Sequence, residues 1–367
     1  MIYLLKFKPS VFAIGDSYRI YVVASVPAVF SVIVGDRTYY DASNGVLRSS
    51  SKIHCVTVPA KELDAAGEYS VLLEEVLSRR IAFSTIGRRE LFRFSFSPLP
   101  PGRPVRIYHM ADTHNGVELP VKAAAVYGSY DLLILNGDIP NHCDEESNIE
   151  NIYCLTGQLT EGRIPILFSR GNHDMRGKFA EHYCDVTPTC HGKTYYTTRL
   201  GNLWFLVLDC GEDKVDGHPE YGGVNCCFSF RREETEFLKA VASHPETEYA
   251  APGVTHRFVI CHIPFTFVSE NPEWAIEREL YTGWANLLKE TVRPDLMLCG
   301  HLHRSGISPV GGYLDHLGQP CTVIVGADVD KDHWRGAGIL VEDDRYTVEF
   351  TDSNGAKSAP TVLKKEG

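Results

Sequence analysis

Five short apolar segments after residue 104 each lead directly into aspartate, asparagine or histidine. They span residues 105–110, 132–135, 164–169, 257–261 and 295–299. Branched apolar runs of this length predict buried strands, and helix-compatible stretches between them, such as residues 121–127, indicate an α/β fold. Because the carboxyl ends of strands in such a fold meet at one edge, we expect the polar residues that follow them to form a single site.

The first hundred residues have a different pattern. Short alternating segments at residues 18–23, 29–34, 37–40, 53–58 and 68–73 are separated by turn residues. This spacing predicts a small all-β sandwich of the immunoglobulin or fibronectin kind. A proline-rich stretch at residues 96–104 is typical of a stiff linker. We therefore predict an N-terminal β-sandwich domain at 1–100, without catalytic residues of its own, and a second domain at 101–367.

The polar residues after the strands favour a site for two metal ions. The candidate ligands are Asp112, His114, Asp138, Asn172, His262, His301 and His303. Mixed oxygen and imidazole donors suit manganese, iron or zinc better than an all-oxygen calcium site. Seven donors exceed the needs of one ion, so we expect two divalent ions about 3.5–4 Å apart that share a carboxylate. His173 would then be left to donate a proton, with Asp174 holding its imidazole in one tautomer.

The order of these motifs resembles the calcineurin-like metallophosphoesterases. Asp-x-His at 112–114, Gly-Asp-x-x-Asn at 137–141, Gly-Asn-His-Asp at 171–174, the lone His262 and Gly-His-x-His at 300–303 match the motifs of that family in sequence. The similarity covers about residues 105 to 350 and implies a four-layer α/β/β/α sandwich. It also implies roles for the candidate residues: Asp112, His114 and His303 at the first metal, Asn172, His262 and His301 at the second, Asp138 as the bridge, His173 assisting the leaving group, and Asp174 as its partner.

A β-sandwich before such a domain also resembles the purple acid phosphatases. Two positions depart from them, because their second motif has tyrosine where Asn141 stands and their first motif lacks a histidine where His114 stands. Without the tyrosine ligand we expect a colourless enzyme that contains manganese, ferrous iron or zinc.

The resemblance implies hydrolysis of phosphoric esters, either monoesters or diesters, by a metal-activated hydroxide. The alternative is a scaffold or binding protein that keeps the fold without catalysis. Specificity is expected in the loops at 212–228 and 266–284. Arg170, Arg176 and Lys178 either contact phosphate oxygens or are solvated, while Trp274, like Tyr281 and Trp284, is expected to pack in the core.

Composition limits the partners. The net charge of −11 argues against a nucleic-acid-binding surface, so the expected partner is a small phosphoester substrate. The count of 11 cysteines is odd, and several lie in apolar runs, which favours reduced thiols and a cytoplasmic location. The N-terminal residues do not resemble a signal peptide, and no apolar run is long enough for a membrane helix. The sequence leaves the oligomeric state open.

Overall fold

The computed structural model describes residues 3–43, 45–100, 102–330 and 332–365. Outside them lie Asn44 of a predicted turn, Pro101 of the predicted linker, and the first two residues of the segment tested for a signal peptide. The strands are β1 Ser10–Ile14, β2 Ser17–Val23, β3 Ala28–Val34, β4 Arg37–Tyr40, β5 Ile53–Pro59, β6 Glu68–Ser78, β7 Thr85–Ser95, β8 Val105–Met110, β9 Leu132–Asn136, β10 Ile166–Ser169, β11 Tyr196–Leu200, β12 Leu203–Leu208, β13 His256–Cys261, β14 Leu296–Cys299, β15 Gly306–Ser308, β16 Thr322–Val325, β17 Asp328–Asp330, β18 His333–Glu342, β19 Arg345–Asp352 and β20 Thr361–Lys364. The α-helices are α1 Ala60–Ala66, α2 Glu118–Tyr127, α3 Glu146–Thr160, α4 Tyr183–Val186, α5 Cys227–Ser243 and α6 Arg278–Leu287.

Two large sheets face each other in the centre of the molecule. The first has ten strands in the order β20-β19-β18-β8-β9-β10-β1-β2-β5, with β17 paired to β18. The second has six strands in the order β11-β12-β13-β14-β16-β15. The central strands β8, β9 and β10 run parallel, as do β12, β13, β14 and β16. Both sheets therefore present the carboxyl ends of several strands at one edge.

The alternation of side chains along β12 shows how the layers form. Leu203, Phe205 and Val207 join the core between the two sheets. Trp204, Leu206 and Leu208 join a second core, which α5 and α6 cover. A strand buried on both faces needs an uninterrupted apolar sequence, as β12 has. Because α2 and α3 pack against the outer face of the first sheet, the order of layers is helix, sheet, sheet, helix, which confirms the predicted α/β class.

The N-terminal strands are divided between two sheets. Strands β4-β3-β6-β7 form a separate antiparallel sheet, while β1, β2 and β5 extend the ten-stranded sheet. The link is a parallel pairing of β1 with β10 in which Phe12 lies opposite Ile166. The predicted β-rich character of this region is confirmed, with α1 as a short helix between β5 and β6. The division at residue 100 stays a prediction, and the residues before and after it share one sheet.

All 11 cysteines are present as reduced thiols. Within the described ranges, none of the helices combines the length and the apolar character needed to cross a lipid bilayer.

Candidate metal centre

The seven predicted metal ligands all lie just beyond the carboxyl ends of central strands. Asp112 and His114 follow β8, Asp138 follows β9, and Asn172 follows β10. His262 follows β13 directly, and His301 and His303 follow β14. The first four come from one sheet and the last three from the other, so the site forms where the edges of the two sheets meet.

One group of donors comprises Asp112, His114 and His303. The Nε2 atoms of the two histidines are 2.9 Å apart, and His303 Nε2 is 3.4 Å from Asp112 Oδ1. The donor atoms of all three residues lie within 4.8 Å of one another. This is the set that the motifs predict for the first metal.

A second group comprises Asp138, His262 and His301, with donor atoms that also lie within 4.8 Å of one another. Asn172 joins it, because its Oδ1 is 3.0 Å from His301 Nδ1. On the other side of the His301 ring, Nε2 lies 4.0 Å from Asp213 Oδ2. At this distance the carboxylate interacts with the imidazole electrostatically and not through a hydrogen bond.

Hydrogen bonding at His262 fits a bound cation. The Nδ1 atom donates to the carbonyl oxygen of Asn136 at 2.7 Å, which leaves the lone pair on Nε2. That buried atom has no hydrogen-bond partner, although it lies 3.1 Å from Asp138 Oδ2. A lone pair facing a carboxylate is unfavourable unless a proton or a metal ion lies between them. The donor chemistry therefore fits divalent cations of the manganese, iron or zinc type.

Electrostatics lead to the same conclusion. Burial alone would lower the pKa of His262, but the charges of Asp138 and Asp112 raise it to about 10. The same carboxylates would attract a metal cation in place of the proton. Burial and the neighbouring His262 lower the pKa of His301 to about 4, so its imidazole is neutral at pH 7 and can act as a ligand.

The backbone around the site is strained. Eleven non-glycine residues in the described ranges have positive φ, and five of them are predicted ligands: Asp112 (54°), His114 (44°), Asp138 (54°), His301 (69°) and His303 (50°). Such conformations cost free energy and concentrate at functional sites. The motif glycines allow the loops to approach closely, because a Cβ at Gly171 would lie 2.2 Å from Asp138 Oδ1, and one at Gly300 would lie 2.7 Å from Asp112 Oδ2.

A sequence model of the calcineurin-like phosphoesterases matches residues 105–305, which include all seven candidate ligands. The chain belongs to this family. Comparison with curated proteins gave no match.

Two solved structures resemble the fold of nearly the whole chain. Purple acid phosphatase PPD1 from yellow lupin (Lupinus luteus) seeds has a TM-score of 0.58 and 11% sequence identity, with 98% of this chain and 74% of the lupin chain covered. The structure of PhoD has a TM-score of 0.57 and 12% identity, with coverage of 100% and 92%. At these identities the similarity concerns the fold, and it extends over the N-terminal β-rich region as well as the matched family segment.

His173 faces the candidate ligands, but its partner differs from the expectation. Its Nδ1 lies 2.9 Å from the carbonyl oxygen of Asn141, which is the contact we expected from Asp174. The Asp174 carboxylate instead accepts hydrogen bonds from the backbone N–H groups of Gly171 at 2.6 Å and Asp138 at 3.1 Å. The 3₁₀ turn at His173–Met175 explains the difference, because it buries Asp174 while leaving the His173 ring partly exposed.

Asp174 therefore holds the loops together. Its hydrogen bonds join the loop after β10 to the loop after β9. In the opposite direction, the backbone N–H of His173 after β10 donates to the Asp138 side chain after β9 at 2.8 Å. Burial and the nearby charge of Asp138 raise the pKa of Asp174.

Arg176 lies in the site, whereas sequence reasoning left it open between phosphate contact and solvation. Its Nε and Nη2 atoms each donate to Glu212 at 2.9 Å, and its Nη1 lies 3.3 Å from His173 Nε2. Arg170 is structural, since it forms an ion pair at 2.8 Å with the buried Asp209. Lys178 is exposed. The position of Arg176 three residues after His173 could have indicated that it lies in the site. Its partner Glu212 was not predictable, because it lies in a loop without any motif.

A cavity of about 410 Å³ opens onto the candidate ligands Asp138, Asn172, His301 and His303. Besides His173 and Arg176, it is lined by residues of the segments 212–214 and 263–276. Both predicted specificity loops thus contribute to it. Trp274 lines this cavity with 48% of its surface exposed, so the expectation that it packs in the core is wrong. Tyr281 and Trp284 are buried as expected.

Proposed function

We propose that this phosphoesterase hydrolyses a phosphoric ester and requires two divalent cations. The observation that carries the proposal is the convergence of His114, His303 and His262 on the buried carboxylates of Asp112 and Asp138. Two imidazole Nε2 atoms lie 2.9 Å apart there, and the buried Nε2 of His262 has no hydrogen-bond partner. The proposed ligands are Asp112, His114 and His303 for one cation and Asn172, His262 and His301 for the other, with Asp138 between them. When bound, the cations would lower the pKa of an attacking water and stabilise the charge on the phosphoryl oxygens.

His173 is the proposed proton donor to the leaving oxygen. Because the Asn141 carbonyl accepts a hydrogen bond, the proton of the neutral ring is on Nδ1, and only the imidazolium form carries a second proton on Nε2. That atom lies beside the cavity and next to Arg176. Glu212 holds the guanidinium through two hydrogen bonds, which places a fixed positive charge near the leaving oxygen. Asp174 contributes by fixing the loop that carries His173.

The rival proposal is a scaffold or binding protein with the phosphoesterase fold. It is disfavoured because every candidate ligand, together with His173, is in place around one site and next to a cavity. Neither argument distinguishes a phosphomonoester from a phosphodiester.

The test is hydrolysis of p-nitrophenyl phosphate and bis-p-nitrophenyl phosphate by protein stripped of metal with a chelator and then refilled with Mn²⁺. We expect hydrolysis only after refilling, with about two equivalents of metal bound. The refilled protein should lack the visible charge-transfer absorption of a ferric tyrosinate, since Asn141 occupies the tyrosine position. Activity that survives complete removal of metal would refute the metal requirement, while two bound ions without turnover of either ester would favour the scaffold.

A further inference from the structure

The cavity beside the metal ligands has one apolar wall. Phe265, Phe267, Trp274 and Ile276 line it on the side supplied by the segment 263–276. Trp274 is about half exposed although it is a large apolar residue. Exposed aromatic groups in a concave site next to convergent polar groups are typical of ligand-binding surfaces.

We propose that the organic group of the substrate is uncharged and apolar, either aromatic or branched aliphatic, and that it binds against Phe267 and Trp274. This inference rests on the proposed phosphoester hydrolysis and adds the substrate class. The phosphoryl group would lie at the end of the cavity formed by His173, His301 and His303, and the ester group would extend toward the apolar wall.

The charged residues of the cavity argue against a second anionic group on the substrate. The basic side chains that line the described cavity are Arg176 and Lys214, and both already form ion pairs with carboxylates. Arg176 makes two hydrogen bonds of 2.9 Å to Glu212, while Lys214 Nζ lies 3.1 Å from both Asp213 and Glu220. Two cationic groups thus face three carboxylates. Glu212 and Asp213 line the cavity and balance the two cations, while Glu220 pairs with Lys214 from outside the lining. A polyphosphate or a carboxylic acid would therefore have to compete with these carboxylates for Arg176 and Lys214.

A cationic organic group is also disfavoured. Lys214 Nζ lies 5.7 Å from the ring centroid of Trp274 and 5.7 Å from that of Tyr221. The ammonium group of the protein already has the contacts with aromatic rings that a choline-like substrate would need. A polyhydroxylated group would lose its hydrogen bonds to water against phenylalanine and isoleucine side chains. An uncharged apolar group avoids all of these unfavourable interactions.

The size of the cavity suits such a group. A dry apolar cavity of about 150 Å³ is large enough to bind benzene. At about 410 Å³, this cavity has room for an aromatic ring together with a phosphoryl group.

The direct test is calorimetric titration of the Mn²⁺-loaded full chain with phenylphosphonate and methylphosphonate, which carry the same head group and are not hydrolysed. We expect phenylphosphonate to bind at least about tenfold more tightly, the effect of burying much of one aromatic ring. Trp274→Ala and Phe267→Ala should each reduce this preference several-fold. Phe228→Ala is the matched control, because Phe228 is 49% exposed but does not line this cavity, and it should leave the preference unchanged.

Equal affinity for the two phosphonates, or a preference that both cavity variants retain, would overturn the substrate class. Hydrolysis gives an independent readout, in which kcat/KM for benzyl phosphate should exceed that for glycerol phosphate, an ester with a leaving group of similar acidity, by a similar factor. Hydrolysis of both esters at equal rates would refute the apolar specificity but would still support the proposed phosphoester hydrolysis. Selective binding of phenylphosphonate without hydrolysis of either ester would support the apolar pocket and refute the proposed catalysis.

Discussion

Asp138→Asn tests the centre of the proposed metal site. Asp138 is 1% exposed, its Oδ1 accepts the backbone N–H of His173 at 2.8 Å, and its Oδ2 lies 3.1 Å from His262 Nε2. Asparagine has nearly the same shape and keeps an acceptor for His173, but it removes the negative charge. The substitution therefore separates the electrostatic contribution of Asp138 from its packing.

The expected effect is large. For two unit charges at the 3.1 Å separation of Asp138 and His262, an effective dielectric constant of about 20 gives an attraction of about 5 kcal/mol. Losing an attraction of that size to a cation should weaken metal binding by nearly four orders of magnitude. A ligand present at about 1,000 times its Kd stabilises the folded state by about 4 kcal/mol. For 367 residues the unfolding entropy is about 0.8 kcal/mol per kelvin, so each filled site raises Tm by about 5 °C.

The assay is thermal unfolding with and without Mn²⁺. Wild type should show the rise in Tm, while Asp138→Asn should lose most of it together with nearly all ester hydrolysis. Asp209→Asn is the control, since Asp209 is also 1% exposed but pairs with Arg170 and is not a candidate ligand. It should lower Tm yet keep the response to Mn²⁺. An unchanged Mn²⁺ response and normal turnover in Asp138→Asn would refute the assignment of Asp138 as a metal bridge.

Three further outcomes follow from the structure. His173→Ala should reduce kcat about 10²- to 10⁴-fold, as expected for loss of a general acid, while elemental analysis still finds both metals; wild-type kcat would rule out its role. Phe12→Ala should lower the free energy of unfolding by about 3–5 kcal/mol, because the centroid of the buried Phe12 ring lies 5.9 Å from that of Phe168 across β1 and β10. Unfolding in urea should remain a single transition. A separate early transition would show that the N-terminal region folds independently. Burial and the charge of Asp209 raise the pKa of Glu234 well above 4.5, so the unfolded chain loses this proton first and the free energy of unfolding falls as pH rises above about 4.5. Glu234→Gln should flatten that fall in urea unfolding experiments from pH 5 to 8. An unchanged slope would contradict the raised pKa of Glu234.

Many strands were predictable because their determinants are local. The alternating or continuous apolar segments at 37–40 and 105–110 coincide with β4 and β8, and most of the other predicted strands agree within one or two residues at each end. The pairing partners were not predictable. Alternation determines which side chains share a face of a strand, but nothing in residues 10–14 indicates that β1 pairs with β10 more than 150 residues later. For this reason the N-terminal region appeared from sequence to be more separate than the shared sheet allows.

The composition of the site was also largely contained in the sequence. Five motifs at the ends of apolar segments named all seven candidate ligands, because parallel strands bring their carboxyl ends together whatever the intervening loops do. The contacts of His173 and Asp174 depended on the course of a single 3₁₀ turn, which exchanged the expected side-chain partner for the carbonyl of Asn141.

Only the tertiary structure brought Arg176 to Glu212 and placed Trp274 at the rim of a cavity. These contacts join loops that lack regular periodicity, and their positions depend on the packing of both loops against the finished sheets. The sequence by itself therefore determined the family and the candidate metal ligands, which are encoded in short motifs. The shape and charge of the substrate cavity were decided by long-range packing between segments that carry no local pattern.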